Sequence, residues 1–137
     1  MNRTPLIACM FLAIAACSSY RSMDSVLLPL LAPPPPGMDD VRLTASSSGV
    51  LKIVRGCVRV SAGQPSRLVT VLWHRGTELH RDQAGYFLRE SYSGATYRFG
   101  ERFEFGGGTA SQDWIEREYP DVAKRCGPPY ASGWLPD

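Results

Sequence analysis

The chain has 137 residues with 15 Lys+Arg against 13 Asp+Glu, is 44% hydrophobic and 10% aromatic, and carries four cysteines. One domain is the natural expectation at this length. Charges of both signs alternate without a basic run, which excludes nucleic acid as the expected partner, because phosphate binding needs concentrated positive charge.

The N-terminus reads as an export signal in three parts. Arg3 and the free amine supply positive charge, and Leu6 to Ile14 form an apolar stretch. Ala15 and Ala16 are the small residues before a cut. The apolar stretch is shorter than the roughly 20 residues of a bilayer-spanning helix. Ile14-Ala15-Ala16-Cys17 resembles the lipobox of bacterial lipoproteins. That resemblance implies cleavage before Cys17, a diacylglyceryl thioether on its sulfur and acylation of its new amine. Two or more acyl chains make a stable membrane anchor where one is marginal. Residue 18 is Ser rather than Asp, which resembles cargo sent to the periplasmic face of the outer membrane in a Gram-negative cell. The domain plan is then a leader over 1–16, a lipidated Cys17 with a Pro-rich tether over 17–38, and a folded domain over 39–137, roughly 100 residues.

Residues 18–38 are expected to be unstructured, with Pro33 to Pro36 forming a stiff polyproline II segment. Val26-Leu27-Leu28-Pro29-Leu30-Leu31 is apolar and broken by proline. It packs on its own domain, on the membrane or on a partner.

From Asp39 onward the pattern is β. Val41 to Thr44 alternates; Val50–Val54 and Cys57–Val60 read as one strand kinked at Gly56 or as two; Leu68 to Trp73 is a β-branched and aromatic run. Tyr86 to Arg89 follows. Tyr97, Phe99, Phe103 and Phe105 alternate with charged residues, and Gly100-Glu101 marks a turn between them. About six short strands with regular turn signals predict a small antiparallel β-barrel (OB-like) or a sandwich. Gly106-Gly107-Gly108 is expected to end the sheet in a crossover that needs positive φ. One short C-terminal helix follows, capped by Ser111 and stopped by Pro120. Cys9 leaves with the leader and Cys17 is the lipid site. Cys57 and Cys126 remain as a disulfide pair in an oxidising compartment. The alternative is two separate thiols. Such a bridge would close about 70 residues and stabilise the domain by roughly 4 kcal/mol on the chain-entropy model.

Gly56-Cys57, Leu72-Trp73 followed by Gly76, Gly100-Glu101, Gly106 to Gly108 and Cys126-Gly127-Pro128-Pro129-Tyr130 together resemble a group of uncharacterised small bacterial lipoproteins. The resemblance covers residues 50–131. His74 departs from the pattern, which favours proline there, as does the extra proline before Tyr130. It implies a small barrel similar to an OB-fold, and no established activity or functional residue.

His74, Glu78, His80 and Asp82 are the cluster with ligand-type chemistry. On one continuous strand their side chains would share a face, and His74, Glu78 and His80 would suit zinc in a metal-dependent envelope enzyme. A turn at Gly76 would scatter them and leave two exposed histidines. Gly106 to Thr109 lacks the Lys-Ser/Thr of a phosphate-binding loop, and no cofactor is expected. Ser91 and Ser93 do not sit in a Gly-x-Ser-x-Gly elbow. Trp114, Tyr119, Tyr130 and Trp134 make the C-terminal third rich in aromatics, either as packing or as an exposed patch for an envelope protein or glycan. The leading expectation is a non-enzymatic, lipid-anchored envelope binding or structural module. An inhibitor that presents loop 90–96 to a secreted hydrolase is the remaining class.

Overall fold

Arg55 and Gly56 both hold positive φ, 53° and 71°, the pair of left-handed residues that a two-residue hairpin turn requires. In this computed structural model, which describes residues 25–137, they join β1 (Ala45–Val54) to β2 (Cys57–Ala62), so the run around Gly56 is two strands. The pair runs from Val54↔Cys57 to Gly49↔Ala62. The leader expected over 1–16, the lipid site expected at Cys17, and Ser18 lie outside the described residues.

β3 (Arg67–Trp73) continues the meander through Val60↔Val69. The chain then leaves the barrel to build a three-stranded sheet from β4 (Thr77–Asp82), β5 (Gly85–Glu90) and β6 (Thr96–Arg98). It returns as β7 (Arg102–Thr109), antiparallel to β1. After helices α1 (Gln112–Glu118) and α2 (Pro120–Cys126), β8 (Tyr130–Trp134) closes a five-stranded barrel in the order β1-β2-β3-β8-β7. Of the barrel and the sandwich expected from the sequence, the small β-barrel is the one found; it closes with five strands, one seam, β3–β8, is parallel, and two short helices stand where one was expected.

Three local expectations change. Val41 to Thr44 is not a strand; β1 starts at Ala45. Pro120 does not simply end a helix. It opens α2 at the first helical position, where its missing N–H costs nothing and its fixed φ suits the helix. Gly106 to Gly108 lie inside β7, and none has positive φ. Their role is close approach: a Cβ on Gly107 would stand 2.0 Å from the Ser132 carbonyl oxygen, and one on Gly106 would enter the Trp134 ring. Glycine here lets β8 lie against β7. The tail after Cys126 is therefore a barrel strand as well as the disulfide's far end.

The barrel is filled by Leu51, Val58, Val60, Val71, Trp73, Phe103 and Phe105. These are the inward positions that alternate with outward ones along each strand. Leu88, Leu79, Tyr97 and Phe99 from the small sheet and its flank pack on the same core, so that sheet and barrel share one apolar interior. A second apolar layer, with Leu72, Ile115, Val122 and Tyr130, lies between the barrel wall and the helices. Cys57 and Cys126 are bonded within it, with Cα atoms 5.5 Å apart.

The apolar stretch before the polyprolines packs on its own domain. Pairing between β2 and β3 reaches only to Val60↔Val69, and the chain at 27–31 occupies the gap beyond. The Leu27 N–H donates to the Gly56 carbonyl (2.8 Å) and the Val58 N–H to the Leu27 carbonyl (2.9 Å). On the other side the Trp73 N–H donates to the Pro29 carbonyl (2.9 Å) and the Leu31 N–H to the Trp73 carbonyl (2.8 Å). Val26 and Leu28 face the barrel core, whereas Leu27 and Leu31 join the outer layer. That is the two-residue period of an extended chain. Pro29 is fully buried and serves only as an acceptor, the one backbone role open to proline. Ser25–Leu31 is thus a strap seamed into the fold where a loose tether was expected. It is satisfied because an unpaired strand edge in a buried gap would strand polar groups.

Candidate binding groove

The sequence-defined metal set is not brought together. His74 lies just past β3, with its N–H bonded to the Gly133 carbonyl (2.8 Å) and its ring Nδ1 3.3 Å from Asp40 Oδ1. It is 7% exposed, not an exposed turn histidine. Arg75 and Gly76 turn the chain before β4. His80 pairs with Glu78 instead, Nε2 to Oε2 at 2.8 Å, and stacks on Phe87 across the β4–β5 pair at 5.5 Å between centroids. Asp82 pairs with Arg98, whose hydrogen bond holds the carboxyl below its ordinary range. Among the described residues no group of three or more His, Cys, Asp or Glu is placed to hold a metal. Three separate pairs, His74–Asp40, His80–Glu78 and Asp82–Arg98, replace the predicted ligand face, because Gly76 (φ 93°) interrupts the strand that would have aligned them.

The serines near Glu90 are also structural. Glu90 is 7% exposed, and its Oε2 accepts from the Tyr92 N–H (2.8 Å), the Ser93 N–H (2.6 Å) and the Ser93 hydroxyl (3.0 Å). The Ser93 N–H is the largest influence holding this carboxyl below its usual range. Three donors on one carboxylate oxygen form the turn and leave Tyr92 at its tip, 82% exposed. Because the folded-state value is depressed, the ionised Glu90 stabilises the protein above the unfolded carboxyl range (about 4.3), and that contribution is lost as pH falls through the folded value. Urea midpoints are therefore expected to be higher for wild type than for Glu90→Gln at pH 6, with the gap closing toward pH 2. A gap that does not change with pH contradicts this role.

Of the four predicted aromatic binding residues, two converge. Ser111 caps α1 by accepting the Trp114 N–H on its hydroxyl (3.4 Å), which sets Trp114 in the first turn. Tyr119 follows the last turn, and the rings meet edge-on at 5.4 Å and 73°. Opposite them runs the chain from Leu31 to Pro35, tied down by the Ala32 N–H donating to the Tyr119 hydroxyl (3.0 Å). Asp40 and His74 complete one wall and Glu118 stands at the rim, enclosing a groove of about 470 Å³. No protein-family model, curated protein or solved structure matches the chain.

The other two aromatics serve the fold. Tyr130 is 5% exposed in the outer layer. Trp134 donates its indole N–H to the Leu43 carbonyl (2.9 Å), with the Arg42 guanidinium over its ring at 5.8 Å. Sequence reasoning missed Asp40, His74 and the polyproline run as groove walls. The apolar Val26 to Leu31 stretch was the signal for them, since docking it draws residues 32–40 along the same side.

Proposed function

We propose that this is a lipid-anchored cell-envelope protein, a non-catalytic module held by acyl chains on Cys17 that binds another envelope component in the Trp114–Tyr119 groove. In a Gram-negative cell it would sit on the periplasmic face of the outer membrane. The observation that carries the reading is the run of the N-terminal sequence. An export leader and lipobox end at Cys17, and eight positions later Ser25 is already held by Arg125. The side chains with catalytic potential have other tasks: His74 pairs with Asp40, Ser93 serves Glu90, and Cys57 and Cys126 are joined. An exposed tryptophan edge-packed on a tyrosine beside carboxylates supplies the apolar face with a polar rim that recognition surfaces use. Wild-type protein is expected in the membrane fraction and Cys17→Ser in the soluble fraction, as read by fractionation and immunoblotting. Membrane association of Cys17→Ser equal to wild type contradicts the anchor.

One observation favours a second reading. The Glu90-ordered loop displays Tyr92 in a fixed position, as an inhibitor of a secreted hydrolase would display a blocking side chain. Nanomolar inhibition of one hydrolase that is lost in Tyr92→Ala, with Trp114→Ala unaffected, would select it over the groove.

A further inference from the structure

We infer that the face bearing Lys52, Arg55, Lys124 and Arg125 rests on the membrane that holds the anchor and binds its anionic phosphate headgroups. The inference rests on the lipid-anchor reading of Cys17. It begins where the strap enters the fold. Arg125 donates through Nη2 to the Ser25 carbonyl (3.0 Å) and to the Gly56 carbonyl (3.3 Å), and Arg55, Gly56, Arg125 and Ser25 line one hollow. The anchored chain therefore leaves the domain beside the β1–β2 turn. Cys17 and Ser25 are eight residues apart, so even a fully extended link reaches only about 28 Å. A domain of about 100 residues, with a radius of gyration near 13 Å, is wider than that. A link this short holds the exit face toward the bilayer.

The charge on that face fits headgroups. Lys52 stands opposite Arg59 on the outer side of the hairpin, and Arg55 occupies the turn itself. Lys124 and Arg125 form the last turn of α2, held to the start of β2 by the disulfide. All four of Lys52, Arg55, Lys124 and Arg125 are exposed. The hairpin from Ala45 to Ala62 contains no Asp or Glu, and α2 contributes one, Asp121. Arg59 is excluded from the patch because it is only partly exposed, with its Nη2 turned to the Leu68 and Pro128 carbonyls (3.0 and 2.9 Å), whereas Arg125 stays exposed despite its two carbonyl bonds. Lys52 and Lys124 are the only two lysines of the chain. Basic residues close to an anionic leaflet are attracted to it over a Debye length and released by salt.

The two lysines make the test direct. The mature acylated protein is inserted into phosphatidylcholine vesicles with or without phosphatidylglycerol and pulsed with an amine-acylating reagent, and peptides containing Lys52 and Lys124 are quantified. Labelling of both is expected to be roughly three-fold or more slower on the anionic vesicles, with the difference abolished in high salt. Arg55→Glu, at an exposed position of the β1–β2 turn, is expected to reduce the protection of Lys52. Equal labelling on both vesicle types, with Cys17 shown to be acylated by intact mass, overturns this inference alone. An unacylated Cys17 overturns the anchor reading and this inference with it.

Discussion

Replacing Cys57 and Cys126 together with serine is expected to lower the unfolding free energy by about 4 kcal/mol on the chain-entropy model. The bridge spans 69 positions, and the closure entropy of the unfolded chain grows with the logarithm of that length. The loss falls where the fold has little else to compensate. α1 and α2 are seven residues each, too short to persist alone in water, and β8 follows directly from α2. Urea denaturation of the oxidised wild type and the double variant measures the difference. A change below about 1 kcal/mol would show that the bridge restrains little of the unfolded ensemble.

Trp73→Ala is expected to cost about 3–5 kcal/mol, the range for removing a fully buried large aromatic. Trp73 is 0% exposed and sits inside the barrel against Phe105 (5.4 Å, edge-on) and Phe103 (6.1 Å). Its backbone, not its ring, holds the strap through Pro29 and Leu31. The substitution therefore weakens the core while leaving the strap's hydrogen-bond partners in place. The indole Nε1 is buried without a hydrogen-bond partner, so Trp73→Phe removes a strandable polar group along with some volume. It is expected to cost less than about 2 kcal/mol. Equal losses for Ala and Phe would contradict the role given to the ring's volume in filling the barrel.

Much of the barrel is legible locally. Leu68 to Trp73 and the aromatic alternation through Phe103 and Phe105 became β3 and β7 because period-two alternation is a property of each strand alone. The Cys57–Cys126 pair followed from counting the thiols that remain once Cys9 and Cys17 are assigned to the expected export signal. What was not legible depends on neighbours distant in sequence. Ala131-Ser132-Gly133 has little strand propensity, and β8 exists because glycines 106–108 leave room for it beside β7. The same glycines, read locally, resemble a loop. Pro120 reads equally as a stop or as a first helical position, and the apolar Val122 and Cys126, which face the outer layer, decide it. The strap was legible as apolar, and its place was not, since the gap it fills is created by two strands that diverge after Val60 and Val69. In the groove, Trp114 and Tyr119 were visible as an aromatic pair. Asp40 and His74 are 34 positions apart, and only the strap's path unites them.

If Cys17 carries the proposed anchor, the strap also changes the mechanical relation between anchor and domain. A free tether over residues 18–38 would let the domain range over tens of ångströms. With the strap from Ser25 to Leu31 bound to the fold, force on the proposed anchor would act on β2 and β3 at their point of divergence. The Pro33–Pro36 run then lies along the groove wall rather than between membrane and domain.

Mass spectrometry of the protein purified from the cells that make it tests the anchor reading directly. The predicted result is a chain that begins at residue 17, with a thioether-linked diacylglyceryl group and an amide-linked fatty acid, and with its remaining two cysteines oxidised to each other. A chain that begins elsewhere, or an unmodified thiol at residue 17, would contradict it.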